Sequence, residues 1–310
     1  MGRFIVRRLT QAAISLFGVL TIVFFVVRLT GNPVRLLVPQ NASAADIARL
    51  THQLGLDRPL LDQYGTFLVN ILHGNLGYSY VQSQPALGIV LGRFPNTVEL
   101  AISALCFSLV FAIPIGFLTA YFRGKWIERL LMPVVALGQS MPAFWSGILL
   151  VLVFAVHWRI LPSSGQGGIK ALILPSITLG MITLASIARI SRVSFLEQLN
   201  KDYVRTARTK GASTARVMVV HVFRNALLPV ITMVGLEAAN LLGGAVITEE
   251  IFAWPGIGQL TVQSVQSSDF PVVEAVVLVA SAVYILTNLS VDLLYGIIDP
   301  RVRIKRVGSR

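Results

Sequence analysis

Charge is scarce in this chain: 13% of its 310 residues are Asp, Glu, Lys or Arg, while 55% are apolar. The mean hydropathy is +0.73. Soluble domains carry about 25% charged and about 45–50% apolar residues, so this balance leaves too little polar surface for a globule in water. Acidic residues are the rarer sign, 14 against 26 basic ones, for a formal net charge of +12. Nucleic acid would need a basic face on a soluble fold, which the composition excludes. The single cysteine, Cys106, rules out an intrachain disulfide and a cysteine metal cluster. Its place inside an apolar run predicts a small buried core residue. His52, His73, His157 and His221 share no metal-ligand spacing. No phosphate loop is present, because Gly124-Lys125 lacks the upstream glycine and runs into Trp126. No His-Glu-x-x-His helix or Gly-x-Ser-x-Gly elbow occurs either, so no hydrolytic machinery is visible. No internal repeat stands out.

What is abundant is long apolar runs. They lie near 9–29, 97–122, 130–157, 172–191, 227–248 and 272–297, each close to the roughly 20 residues that cross a hydrocarbon core. Arg3, Arg7 and Arg8 before the first run resemble the start of a signal peptide. Thr30-Gly31-Asn32-Pro33 after it is no small-x-small cleavage site, which makes the run an uncleaved first span. With the N-terminus inside, six spans place the C-terminus inside as well. The inner side then carries 18 basic residues, from Arg3, Arg7 and Arg8 to Arg301, Arg303, Lys305, Arg306 and Arg310. The far longer outer sequence has Arg28, Arg35, Arg49, Arg58, Arg93, Arg159 and Lys170. Positive charge is retained on the cytoplasmic side, so topology accounts for the net charge.

The expected architecture is all-α and membrane-integral, with about six helices, N-in and C-in. Residues 1–29 form the cytoplasmic start and first helix, 30–95 an extracytoplasmic segment, 96–298 a five-helix core and 299–310 a basic tail. Turns are expected at Gly31-Asn32-Pro33 and Gly74-Asn75, and a helix near 43–54 capped by Ser43, with Asp46 in its first turn. A second outer segment, 249–271, holds Trp254-Pro255-Gly256 and the turn Ser268-Asp269-Phe270-Pro271.

The inner loop 192–226 is the most informative stretch. From Asn200 to Pro229 it reads NKDYVRTARTKGASTARVMVVHVFRNALLP. Asp202 is the expected N-cap of a helix from about Tyr203 to Lys210, and Gly211 its stop. Tyr203, Ala207 and Lys210 share one face, and small side chains at Ala207 and Gly211 let another protein approach the backbone. Ser213 is placed to cap the next helix, and Pro229 to bend the chain as it re-enters the membrane. The stub is too short to span anything, and suits being gripped and pushed from the cytoplasm.

These residues resemble a known family. Permeases of ABC importers carry a Glu-Ala-Ala-x-x-x-Gly loop before their penultimate span, ending in an Ile-x-Leu-Pro-like sequence. Here Arg205-Thr206-Ala207-x-x-x-Gly211 stands in that place, with Leu227-Leu228-Pro229 at its close. DYVRTARTKG and HVFRNALLP are similar to the dipeptide, oligopeptide and nickel branch, where an Arg-Thr-Ala start is usual. So are LGLDRPLLDQY (54–64), HGNLGYS (73–79), GGAVITEEIFAWPGIGQL (243–260), DFPVV (269–273) and NLSVDLLYGIIDPRVR (288–303). Asn32 and Asn75 stand where that branch suggests aspartate. The resemblance implies a type I importer permease. Its partners would be a second homologous permease, two cytoplasmic ATPase subunits and an extracytoplasmic binding protein. ATP and Mg would sit on the ATPases, with no cofactor and no catalysis in this chain. It implies ATPase coupling through Asp202, Tyr203, Arg205, Thr206, Ala207, Lys210, Gly211, Ala212, Arg224, Asn225 and Pro229. The cargo it implies is a di- or oligopeptide, with glutathione, nickel or a metal chelate as alternatives.

Charged groups within spans are candidates for function. Glu99 and Arg189 lie near span ends and can snorkel. Glu237 with Asn240, and Gln139 with Ser140 beside Pro142, can line a polar pathway. Glu237 and Asp292 can equally hydrogen-bond between helices. An ion-driven secondary transporter would show paired inverted repeats and buried carboxylates, and an intramembrane enzyme a catalytic constellation. The absence of repeats and of catalytic motifs disfavours both.

Overall fold

The computed structural model describes residues 2–30, 43–53, 55–79 and 81–298. The turn expected at Gly31-Asn32-Pro33 and the basic tail 299–310 lie outside the described residues, as does the side chain of Asp292. The helices are α1 (Gly2–Thr30), α2 (Ala44–Gln53), α3 (Leu60–Leu72), α4 (Ala86–Tyr121), α5 (Trp126–Ser140), α6 (Ala143–Leu150), α7 (Ile169–Leu199) and α8 (Asp202–Thr209). A long α9 follows, from Thr214–Arg216 through a π-helical stretch, Val217–Phe223, into Arg224–Gly244. It is succeeded by α10 (Val246–Ile251), α11 (Ile257–Gln266) and α12 (Phe270–Ile298). A two-residue antiparallel ladder, β1 (Tyr78–Ser79) with β2 (Gln84–Pro85), pairs Tyr78 with Pro85.

Among the described residues, five helices are long and apolar enough to cross a membrane, six if α5 and the bent segment Ala143–His157 form one span. That third span was expected over 130–157 with a kink at Pro142, and the bend there is sharp. Its halves meet at 106° at Met141-Pro142, where Met141 and Pro142 both take extended backbone. A proline restricts the residue before it to the extended region, which ends α5 at Ser140. The inner loop 192–226 is also mostly helix. α7 runs on to Leu199 and α9 begins at Thr214, so Pro229 lies inside α9.

The chain forms two compact units. One comprises Met1–Thr97 with Pro255–Ile285. Its core gathers Ala86, Ile89 and Val90 of α4 with Ile257, Leu260, Val272, Ala275 and Val276. Phe24 of α1 is fully buried against Tyr64 and Phe67 of α3, each 5.2 Å away between ring centroids. The Tyr64 hydroxyl meets Thr21 Oγ1 at 2.7 Å. As expected, Ser43 caps α2, accepting from the Asp46 N–H at 3.2 Å. Thr97 Oγ1 accepts from the Ile257 N–H at 2.9 Å, and Asn96 donates to the Pro255 carbonyl at 2.8 Å.

The other unit comprises Val98–Trp254 with Leu286–Arg310. Its centre is α7, with 61% of its most apolar stretch buried against 17–33% for the other candidate spans. Backbones approach closely where side chains are smallest. A Cβ on Gly180 would come within 2.8 Å of the Ala104 carbonyl, and one on Gly116 within 2.4 Å of Ser191 Cβ. Hydroxyls stitch the same seam, Ser108 donating to the Gly180 carbonyl at 2.8 Å and Ser103 meeting Ser176 at 2.7 Å. Small residues with hydroxyl bonds are how helices associate in lipid, where apolar surface alone does not drive them together. Cys106 corrects its expectation, being exposed. The packed face of α4 carries Leu100, Ala101, Ala104 and Ser108, and helical spacing turns position 106 away from it.

Candidate coupling site

Leu199 ends α7, and Lys201 adopts the extended φ/ψ of −79° and 149° that starts α8. Lys201 is therefore the N-cap position, making no side-chain cap bond. This corrects the assignment of Asp202 as cap. Asp202 sits one residue inside, where its carboxylate faces the positive end of the helix dipole. Thr206 and Thr209 fold their hydroxyls back onto the Asp202 and Arg205 carbonyls, both at 3.0 Å.

The end of α8 is a Schellman motif. Gly211 has φ +79°, its N–H donates to the Arg208 carbonyl at 3.0 Å, and the Ala212 N–H donates to the Ala207 carbonyl at 3.1 Å. That six-to-one and five-to-two pattern satisfies carbonyls the helix would otherwise leave open, and its left-handed residue favours glycine. Lys210 is the C-cap. Ser213 then caps α9, its Oγ accepting from the Arg216 N–H. The expected stop and second cap both hold.

One residue anchors the stub. Val204 is 2% exposed within a cluster of Ala120 of α4, Phe195 of α7 and Val217, Met218, Val222 and Ala226 of α9. Burying a valine contributes roughly 1.5–3 kcal/mol, a large share of what holds an eight-residue helix. Beneath it, Phe195 packs edge-on to Phe117 at 5.4 Å and tilted against Phe223 at 5.6 Å. Tyr203 donates to Gln198 Oε1 at 2.8 Å. Ser194 donates to the Ala226 carbonyl at 2.7 Å and Asn225 to the His221 carbonyl at 2.8 Å. The ends of α4 and α7 and the start of α9 thus meet under α8. Val217–Phe223 is π-helical, a geometry frequent at functional sites.

Beside this contact lies an open cleft, and Tyr203, Ala207 and Ala212 in its wall also pack on the cluster. Tyr203, Thr206, Ala207, Lys210, Gly211 and Ala212 line one cleft of about 560 Å³, with Arg216 and His221. A Cβ at Gly211 would meet nothing within 4 Å, so among the described residues none crowds that position. Asp202, Arg205, Arg208, Lys210, Arg216 and Arg224 are exposed. Asp202 is the sole acid between Asn200 and Asn225. Of the expected coupling residues, the cleft gathers Tyr203, Thr206, Ala207, Lys210, Gly211 and Ala212, while Asp202 and Arg205 are exposed outside it. Arg224 and Pro229 stand apart on the exposed side of α9, and Asn225 bonds within its own helix. Val204, Phe195 and Ser194 were not singled out in the sequence, although Val204 follows Tyr203 on a helix whose buried side needed an apolar anchor.

A further link had no sequence signal. Arg192, near the end of α7, pairs with the Glu128 carboxylate of α5, which also accepts from the Gly124 N–H at 2.6 Å. The tight turn after α4, with Gly124 at φ +78°, is thereby fastened to the helix that leads into α8.

Among the described residues, no hydrogen bond joins the four pathway candidates. Glu237 is 8% exposed and accepts from Thr183 of α7 at 3.4 Å, an interhelical bond. Asn240 is exposed, Gln139 half-buried, and the Ser140 hydroxyl closes on the Ala136 carbonyl of its own helix at 2.9 Å.

Residues 112–304 match the model of the binding-protein-dependent transport system inner membrane component. Residues 1–101 match the N-terminal region of such membrane components. The chain is 41% identical over 306 residues to the glutathione transport system permease protein GsiC of Escherichia coli (strain K12), covering 98% of this chain and 100% of that one. It is 37% identical over 339 residues to the dipeptide transport system permease protein DppB of the same strain, covering 99% and 100%. The fold is similar to that in the inward-facing MetNI methionine ABC transporter, with TM-score 0.54, 19% identity and coverage of 68% and 96%. It is similar also to an amino acid ABC transporter solved with histidines, with TM-score 0.51, 17% identity and coverage of 69% and 94%. Matched by these models over nearly all its length and carrying the apolar helices such a protein needs, the chain belongs to the binding-protein-dependent transport system inner membrane components: it is a multi-pass permease subunit of an ABC importer.

Proposed function

We propose that this permease carries short peptides inward and is driven through α8. The division of labour follows the resemblance. An extracytoplasmic binding protein delivers cargo to the outer segments 30–95 and 249–271, and a second homologous permease completes the path as a heterodimer. Two ATPase subunits, holding ATP and Mg, grip the open face of α8, and this chain itself performs no catalysis. The core 96–298, with its coupling loop 200–229, is the moving part, and 1–29 and 299–310 flank it on the cytoplasmic side. The observation that supports the coupling role is a helix packed through Val204, Tyr203 and Ala207 on one side and exposed at Arg205, Arg208 and Thr209 on the other. Force on such a helix reaches α4, α7 and α9 through one shared cluster. ATP can drive the change only by binding one state better than the other.

Short peptides are the cargo that fits the relatives' names, one a dipeptide system and one a system for glutathione, itself a tripeptide. The test is uptake of labelled dipeptide, glutathione and nickel, side by side, in cells lacking the chain or carrying Ala207→Trp. Loss of peptide or glutathione uptake with the variant still in the membrane is expected. Loss of nickel uptake alone would overturn the cargo, and normal transport by Ala207→Trp would overturn the coupling role.

A further inference from the structure

A second cavity, of about 640 Å³, lies within the first unit, well inside the roughly 300–1,000 Å³ range of small-molecule sites. Both signs of charge line it. Arg28, from the outer end of α1, stands 3.7 Å from Glu274 in the first turns of α12, too far for a hydrogen bond. The Arg28 side chain is 22% exposed and that of Glu274 9%. Three polar atoms of lining residues are buried and find no hydrogen-bond partner among the described residues: Arg28 Nε, Gln63 Oε1 and Glu274 Oε1. Gln63 spends its amide group on the Leu56 and Arg58 carbonyls, at 3.1 and 2.9 Å, leaving only its oxygen. Asp269, also in the wall, is already engaged by Ser79. Phe67 and Tyr78 supply apolar surface to the same cavity.

Buried polar groups are ordinarily paired, and a charged group left short of partners costs most. Here the unmet demand is one guanidinium donor beside two acceptors. A lone anion would satisfy the first and repel Glu274, and a lone cation would do the reverse. We propose that this cavity binds a zwitterion, an anionic oxygen against Arg28 and an ammonium between Glu274 and Gln63. Neither side chain gives up a hydrogen bond in turning to such a ligand, which would take the place of their mutual ion pair. Two sources carry that chemistry: the ends of a short peptide such as glutathione, and the head of phosphatidylethanolamine. The peptide source rests on the import reading above, and the lipid source does not.

The test uses the assembled permease–ATPase complex without its binding protein, in nanodiscs of phosphatidylglycerol. Equilibrium binding of labelled glutathione and glycyl-leucine is measured for the wild type, Arg28→Met and the isosteric Glu274→Gln. A peptide site predicts saturable binding, weakened about tenfold or more in each variant. N-acetyl-glycyl-leucine, lacking the ammonium, would not compete, a readout on the wild type that needs no variant to fold. A lipid site predicts no peptide binding, but phosphatidylethanolamine retained by the wild type from native membranes and lost from both variants. Absence of both, binding equal in all three proteins, or full competition by the acetylated peptide would overturn the proposal. ATP-dependent uptake by the wild type with its binding protein is measured in parallel. Normal uptake beside an empty cavity would leave the import reading standing and remove this one.

Discussion

Replacing Gly211 should uncouple transport in a graded order set by backbone geometry. The position has φ +79°, and a Cβ there meets nothing within 4 Å, so sterics within the chain contribute nothing to the outcome. Alanine costs only the left-handed strain, roughly 1–2 kcal/mol. Asparagine, which tolerates that region, costs less. Valine adds β-branching to the strain. Proline cannot reach the conformation, and removes the N–H that donates to the Arg208 carbonyl at 3.0 Å, for about 3 kcal/mol or more. Since about 1–2 kcal/mol shifts a local equilibrium some 5–30-fold, the end of α8 should be ordered in Asn, weakened in Ala and lost in Pro. The assay is ATP hydrolysis stimulated by loaded binding protein in proteoliposomes, beside uptake and the amount of chain in the membrane. Coupling should fall in the order Gly, Asn, Ala, Val, Pro at constant membrane level. Equal loss for Asn, Ala and Pro would show that bulk against a partner decides, not the Schellman geometry. Coupled uptake by Gly211→Pro would refute the assignment of α8.

Four other outcomes follow from the packing and the electrostatics. Gly180→Leu should cost about 3 kcal/mol or more through overpacking against backbone that cannot yield, read as a lower unfolding temperature of the purified complex. Gly18→Ala, with open space around it, should be neutral or slightly stabilising as a helical control. A double-mutant cycle on Arg192 and Glu128, partly exposed at 25% and 17%, should show a coupling of about 1 kcal/mol, and additivity would deny the link. Burial raises the Asp269 carboxyl above its ordinary range, against the lowering bonds from Ser79 and the Val272 N–H. A raised folded pKa means the folded state holds the proton longer, so local stability is greatest below pH about 4 and declines as pH rises through the folded value. Amide exchange at Gln82, whose N–H donates to Ser79 Oγ at 3.0 Å, should quicken over that window after correction for intrinsic rate. Asp269→Asn should remove the dependence.

Everything governed by local composition could be read from the chain. A run of about 20 apolar residues has few alternatives to a membrane helix, and lysine and arginine record its orientation. Gly211 and Ser213 announced their caps because capping involves neighbours in sequence. Asp202 misled by one position: an acid is favoured both as a cap and in the first turn, and only ψ at Lys201, 149°, distinguishes them. Cys106 misled because an apolar run does not say which face of a membrane helix meets protein and which meets lipid. The break of the third span was foreshadowed by Pro142, but its 106° angle was not.

Contacts between distant residues belonged to the tertiary structure alone. The Arg192–Glu128 pair joins positions 64 apart, and Ser79 reaches Asp269 across 190. Nothing local requires either. Gly116 and Gly180 gave no sign that they let α4 and α7 approach within contact of backbone, because a glycine is small whether or not a neighbour uses the space. The sequence therefore determined which runs are apolar enough to cross and where α8 stops, since each depends on solvent preference or on residues a turn apart. The fold decided which face of α8 Val204 buries, where Glu237 finds Thr183, and that Arg28 and Glu274 share one cavity. Those depend on how rigid helices pack, a property of surfaces and not of segments.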